Sequence, residues 1–335
     1  MEKLSDWSEI KSKFNSTIIL GNGASIAVHK EFKYQSLYEV ALSKKILKDP
    51  IKKIFDFYRT RDFELILRHL WYASIINNIL KIGENKTTNS YELLRAALIY
   101  SIKEIHATYE DVLPHISRMY KFLKKFKKVI SLNYDILVYW AMRTGNDKLG
   151  NWFKDCFLDG KFQGNWRWME DSATEVGGST LVFYPHGSLF LAKNRYDEEF
   201  KLARGSDNEY LLDSVIGKWE SGDYIPLFVS EGDSSQKIKS INRSFYLSSV
   251  YYDVLLNLGK DIVIYGWSLD DNDNHILSKI AESSIEKIAL SIYCKDKDEE
   301  TIEEVMIEKA KKIKTFLPHA DLFFFDAQSS NCWIY

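Results

Sequence analysis

Ser16-Thr17-Ile18-Ile19-Leu20-Gly21-Asn22-Gly23-Ala24-Ser25 is the stretch that decides the fold class. A β-branched apolar run meets two glycines one residue apart and passes into the helix-compatible Ile26-Ala27-Val28, which reads as strand, tight turn, helix. The strand pattern recurs. Residues 128–132 predict a second strand, which exits through Asn133-Tyr134-Asp135, and Leu181-Val182-Phe183-Tyr184 a third, broken by Pro185-His186-Gly187-Ser188. Pro226-Leu227-Phe228-Val229 and Ile262-Val263-Ile264-Tyr265 follow, then residues 288–293 and 322–325 around a charged helix near 299–314. Strands alternating with helical periods predict an α/β, Rossmann-like, doubly wound fold whose mainly parallel sheet is covered on both faces.

A single domain over residues 1–335 is expected, with a helical insertion at 32–128 after the first strand. There Phe63, Ile66, Leu67, Leu70 and Trp71 share one helical face, and Leu93, Leu94, Ala97 and Leu98 repeat the spacing. Residues 150–180 are aromatic, with Trp152, Phe153, Phe157, Phe162, Trp166 and Trp168 around Gly160 and Gly164, and read as an irregular hairpin or lid.

With 45 Lys+Arg against 47 Asp+Glu, the chain has no overall field to attract a polyanion, so direct nucleic-acid binding is not expected. Cys156, Cys294 and Cys332 form no C-x-x-C pair and suggest neither a zinc ribbon nor a disulfide framework. The first fifteen residues lack the apolar core of a signal peptide, and no apolar run approaches the roughly 20 residues that span a bilayer. The expectation is a soluble cytoplasmic protein.

Polar or glycine-rich tracts follow four of the predicted strands, and in a doubly wound sheet such exits converge on one crevice. Gly21, Asn22, Gly23, Ala24 and Ser25 form a turn into a helix, where free N–H groups and the helix dipole favour phosphate; a plain tight turn is the simpler reading, because the full G-x-G-x-x-G fingerprint is missing. Asn133 and Asp135 leave the second strand, where an Asx turn is the alternative. His186, before Gly187, is expected at the sheet edge with little steric cover, usable as an acid or base or simply a polar cap. Gly266, Ser268, Asp270 and Asp273 lie in Tyr265-Gly266-Trp267-Ser268-Leu269-Asp270-Asp271-Asn272-Asp273-Asn274-His275, whose acids suit ribose hydroxyls. This tract lacks the glycine and distal glutamate of a calcium loop, and the histidines show no ligand spacing, so no metal is expected.

These four motifs, in this order, resemble the SIR2-like superfamily, in particular the zinc-ribbon-lacking bacterial type with the layout of the DUF4917 family. Sirtuins place a dinucleotide turn, an Asn-x-Asp segment and a His-Gly at corresponding points, so the resemblance implies NAD+ as ligand and substrate. Without the four-cysteine ribbon, protein deacylation is not expected. The likeness is instead to NAD-hydrolysing effectors of antiphage defence that act by abortive infection.

By resemblance, Asn133 would orient the nicotinamide ribose or the attacking water and His186 would act as general base. Residues 21–25 would hold the pyrophosphate, Asp135 the nicotinamide amide, and Ser268 with its neighbouring acids the adenosine side. Glu64 reads as a solvated helix acid, with the crevice as its other destination. A gate is implied, either homo-oligomerisation or an activating sensor protein encoded nearby; no membrane partner is expected. The rival readings are a non-catalytic NAD or ADP-ribose sensor, a scaffold using the Trp-rich segment, and ADP-ribosyl transfer or cyclisation in place of hydrolysis.

Overall fold

The computed structural model describes residues 3–32, 36–83, 85–171, 177–202, 207–208, 210–229 and 232–335. Its centre is a sheet of eight strands: β1 (Leu4–Ser5), β2 (Thr17–Leu20), β3 (Lys128–Ser131), β4 (Phe153–Lys154), β5 (Thr180–Phe183), β6 (Asp261–Tyr265), β7 (Lys287–Ile292) and β8 (Asp321–Asp326). The order is β1-β8-β7-β6-β2-β3-β5-β4, and every neighbouring pair is parallel. Strands β2, β3 and β5 are buried at every position. Helices cover both faces, so these strands read as continuous apolar runs without a polar alternation.

The topology fixes where a ligand can sit. From β2 the chain builds one wing through β3, β5 and β4, and the later strands β6, β7 and β8 build the other. The strand order therefore reverses between β2 and β6, and open α/β sheets bind ligands outside the carboxyl ends of strands at such a point. Register pairs Leu20 with Tyr265 and with Ser131, so the turns after β2, β3 and β6 leave the sheet at one level.

Two expectations change. Pro226 lies outside the parallel sheet: Tyr224–Phe228 pairs antiparallel with Gly187–Asn194, which pairs in turn with Glu199–Lys201. The register shifts between Pro226 and Leu227, and such an irregularity accommodates a proline that cannot donate to the ladder. The strand Gly187–Asn194 was hidden because Pro185 and Gly187 read as a break. The aromatic region holds β4, a hairpin pairing Phe157–Leu158 with Lys161–Phe162, and the short helix Arg167–Asp171, while residues 172–176 lie outside the described set. Trp166 is fully buried against Phe183, and Phe157 packs on Tyr246.

Between β2 and β3 run the helices Leu37–Ser43, Asp49–Tyr58, Phe63–Ile79, Lys86–Ile105 and Tyr109–Leu123. The third packs on the strand Tyr224–Phe228. No described helix is long and apolar enough to cross a membrane.

Candidate functional site

The turns after β2 and β6 are fused. Gly21 N–H donates to the Tyr265 carbonyl at 2.9 Å and Gly23 N–H to the Gly266 carbonyl at 2.7 Å, while Ala24 N–H closes back on Gly21. A Cβ on Gly21 would lie 2.5 Å from Trp267 Cα, one on Gly23 2.7 Å from the Gly266 carbonyl oxygen, and one on Gly266 2.3 Å from Ala24 N. Close backbone approach thus explains these glycines. It also corrects the expectation of free N–H groups at three of these positions: Gly21, Gly23 and Ala24 have spent theirs inside the joint, and the Asn22 side-chain Nδ2 donates to the Phe32 carbonyl. Trp333, from the end of the chain, seals the joint by donating from Nε1 to the Ala24 carbonyl.

Asn133 leans on this joint from β3. Its Nδ2 donates to the Gly21 carbonyl at 3.0 Å and to Ser25 Oγ at 2.8 Å. A carbonyl can only accept, so the amide nitrogen faces inward. The Ser25 hydroxyl hydrogen goes to Asp135 Oδ2 at 2.5 Å, and Asp135 Oδ1 accepts from Leu137 N–H at the start of helix Leu137–Leu149. The chain Asn133 to Ser25 to Asp135 therefore locks the carboxamide, and no described residue donates to Asn133 Oδ1. Asp135 is buried with both oxygens engaged; burial raises its pKa, opposed by the Ser25 and Leu137 bonds.

His186 stands beside this group. Its Nδ1 lies 3.3 Å from the carbonyl of Leu132, the residue before Asn133, and Ser188 Oγ donates to the Tyr134 and Asp135 carbonyls. Gly187, at φ +74, is obligatory where its Cβ would meet the Leu227 carbonyl oxygen at 2.2 Å. The expectation of little steric cover fails, since His186 is only 3% exposed. It begins the side sheet, with Val229 N–H bonded to its carbonyl, and does not end on an open edge.

Across the crevice, His275 Nε2 is 3.0 Å from His186 Nε2. Leu132 can only accept, so His186 carries its proton on Nδ1, and the proton between the rings belongs to His275. Asp273 Oδ1 lies 3.9 Å from His186 Nε2 and 2.6 Å from Lys237 Nζ. Burial, then the Lys237 charge, lowers the His186 pKa to about 4; burial and His186 lower that of His275 to about 3. Both rings are neutral near pH 7. Burial opposes ionisation of Asp273, but His186 where it is protonated, and Lys237 throughout, outweigh it and hold its pKa below the usual value.

The structure thus brings residues 21–25, Asn133, Asp135, His186, Gly187, Gly266 and Asp273 together. Ser268 and Asp270 lie apart, bonded to each other at 2.6 Å on the exposed surface. Tyr134 stacks on Phe228. Glu64 is not solvated: it is buried 3.5 Å from Arg68, and burial raises its pKa to about 7. The charges acting on it come from Arg68, Asp62, Lys193 and Arg243, none of which belongs to the four tracts.

A family model described as a domain of unknown function, DUF4917, matches residues 18–333. The chain belongs to the DUF4917 family. No curated protein gives a match to it.

Four residues of this DUF4917 chain carry no assigned role in the sequence reading: His106, Lys309, Lys237 and His275. His106 closes the helical segment onto the Asn133 turn: its Nδ1 meets the Ala107 carbonyl at 2.8 Å and its Nε2 accepts from Ile136 N–H at 3.2 Å. Lys309 donates to the Trp267 carbonyl at 2.7 Å, and burial lowers its pKa to about 8. Lys237 faces Asp273 from helix Ser234–Ile241. Only His275 stood in a tract already singled out, and nothing in its spacing linked it to His186.

Proposed function

We propose that the protein is an NAD+ glycohydrolase of SIR2-like type, releasing nicotinamide and ADP-ribose, and that it depletes NAD+ as an antiphage effector. The observation that carries this reading is the locked carboxamide of Asn133, which turns Oδ1 outward at the topological switch point, one residue from the carbonyl that holds His186. Hydrolysis of the nicotinamide ribosyl bond passes through an oxocarbenium-like state and expels a neutral leaving group, so positioning is the main demand on the protein. Asn133 Oδ1 accepts a hydrogen from the attacking water or a ribose hydroxyl. Neutral His186 accepts a proton at Nε2, which requires the substrate hydroxyl to replace His275 as its donor. The pyrophosphate rests at the joint of residues 21–25, against the helix dipole more than the committed amides. Asp135 meets the nicotinamide amide through its remaining lone pairs, and Gly266 and Asp273 line the adenosine side.

A second reading, a non-catalytic NAD or ADP-ribose sensor, draws on the burial of His186 and its pairing with His275. Chromatography of NAD+ incubated with the purified chain and the products of its neighbouring genes separates the two. Hydrolysis gives nicotinamide and ADP-ribose in equal amounts and is lost in Asn133→Ala and His186→Ala. A sensor binds NAD+ and leaves it whole.

A further inference from the structure

We propose that His186, His275 and Asp273 form a binding site for a divalent transition-metal ion of the zinc class. Their donor atoms all lie within 4.8 Å of one another, although they come from segments some ninety positions apart in the chain. An ion about 2.0–2.1 Å from each donor needs donors spaced about 3 to 3.5 Å apart. The two Nε2 atoms, at 3.0 Å, already have that spacing, and the Asp273 oxygen, 3.9 Å from His186 Nε2, needs only a small side-chain movement.

The outer contacts have the form that metal-binding imidazoles use, in which the ring nitrogen away from the ion is held by a fixed partner. His186 Nδ1 faces the Leu132 carbonyl, and His275 Nδ1 faces Ser234 Oγ at 3.4 Å. With both rings held from behind, moving the His275 proton from Nε2 to Nδ1, on the Ser234 side, leaves two Nε2 lone pairs 3.0 Å apart, and an ion satisfies both at once. Two imidazoles and one carboxylate favour zinc, cobalt or nickel over magnesium or calcium. Asp273, with its side chain 19% exposed, leaves the remaining coordination open to water. Lys237 opposes binding, because its ammonium group sits on the same Asp273 oxygen. Bound metal would occupy the His186 lone pair, and on the NAD+ hydrolase reading it would therefore inhibit. That consequence rests on the reading; the binding does not.

The test is equilibrium dialysis of the full chain, stripped with chelator, against Zn2+ and then Co2+. We expect about one ion per chain, bound at least tenfold more weakly by His186→Ala and His275→Ala and severalfold more tightly by Lys237→Gln. Cobalt should give visible ligand-field bands without thiolate charge transfer, and X-ray absorption of the zinc-loaded wild type should count two imidazoles, a readout that needs no variant to fold. Failure to take up an ion, or uptake with thiolate bands or without imidazole ligands, overturns the site. Metal binding by a protein that leaves NAD+ intact removes only the inhibitory consequence, whereas NAD+ hydrolysis without metal binding removes the site alone.

Discussion

The Asn133 carboxamide is the smallest unit on which the proposed hydrolysis depends. Its amide nitrogen is fixed by one backbone carbonyl and one hydroxyl, so exchanging it for a group of the same shape but different polarity separates positioning from packing. Asn133→Asp sets a carboxylate against the Gly21 carbonyl, and we expect NAD+ hydrolysis to fall by about a hundredfold or more, the order seen when one polarising contact is removed, with the circular dichroism unchanged. His186 makes a prediction in pH. With its pKa depressed to about 4, it stays neutral down to that value, so kcat/KM should hold through pH 6.5 and fall only as pH drops through about 4. An acid limb centred near 6.5 would contradict the burial assigned to it. The glycine joint makes a third prediction, read as stability. Gly266→Ala adds a Cβ 2.3 Å from Ala24 N at φ +68 and should cost more than about 2 kcal/mol in chemical denaturation. Gly217→Ala, in open space within helix Leu211–Glu220, should instead add about 0.5–1 kcal/mol.

Elements, more than single side chains, hold these residues in register. The helix Lys86–Ile105 ends at His106, which ties the insertion to the turn carrying Asn133 through Ile136 N–H. Burial lowers the His106 pKa to about 4, below the unfolded value near 6.5. A depressed histidine binds its proton more readily in the unfolded chain, so its contribution is present above about pH 6.5 and is lost as pH falls toward 4. Over that window the wild type should lose up to about 3 kcal/mol more than His106→Gln when melting is followed against pH. Glu64, raised to about 7, pulls the other way but equally in both proteins, so the difference isolates His106. Much of this architecture is legible in the chain. The buried parallel strands read as apolar runs, and the exits of β2, β3 and β6 read as polar tracts, because both follow from local composition. The strand Gly187–Asn194 did not, since Pro185 and Gly187 are ordinary stop signals and only antiparallel pairing with Tyr224–Phe228 overrides them. The His186–His275 contact joins residues 89 positions apart and has no periodicity to betray it. Glu64 misled because an acid in a helix is usually solvated, while helix Phe63–Ile79 buries this one with Arg68.

Across the molecule, the crevice lies where the two wings of the sheet part, and its histidine side is buried while Asn133 stays half-buried. His186 and His275 are both 3% exposed, the glycine joint is sealed by Trp333, and the insertion clamps the Asn133 turn. An NAD+ hydrolase left open would exhaust its own cell, so the buried histidine pair fits the proposed effector, with a second copy or a sensor protein freeing it. We expect cells expressing the wild type with its neighbouring genes to lose NAD+ on phage infection, and cells expressing Asn133→Ala to keep it. NAD+ hydrolysis is measured in vitro by chromatography of NAD+ incubated with the purified chain together with those neighbouring gene products. Nicotinamide and ADP-ribose should be released in equal amounts by the wild type and not by Asn133→Ala or His186→Ala; NAD+ that is bound but never consumed, or variants that hydrolyse it at the wild-type rate, would rule the proposed hydrolase out.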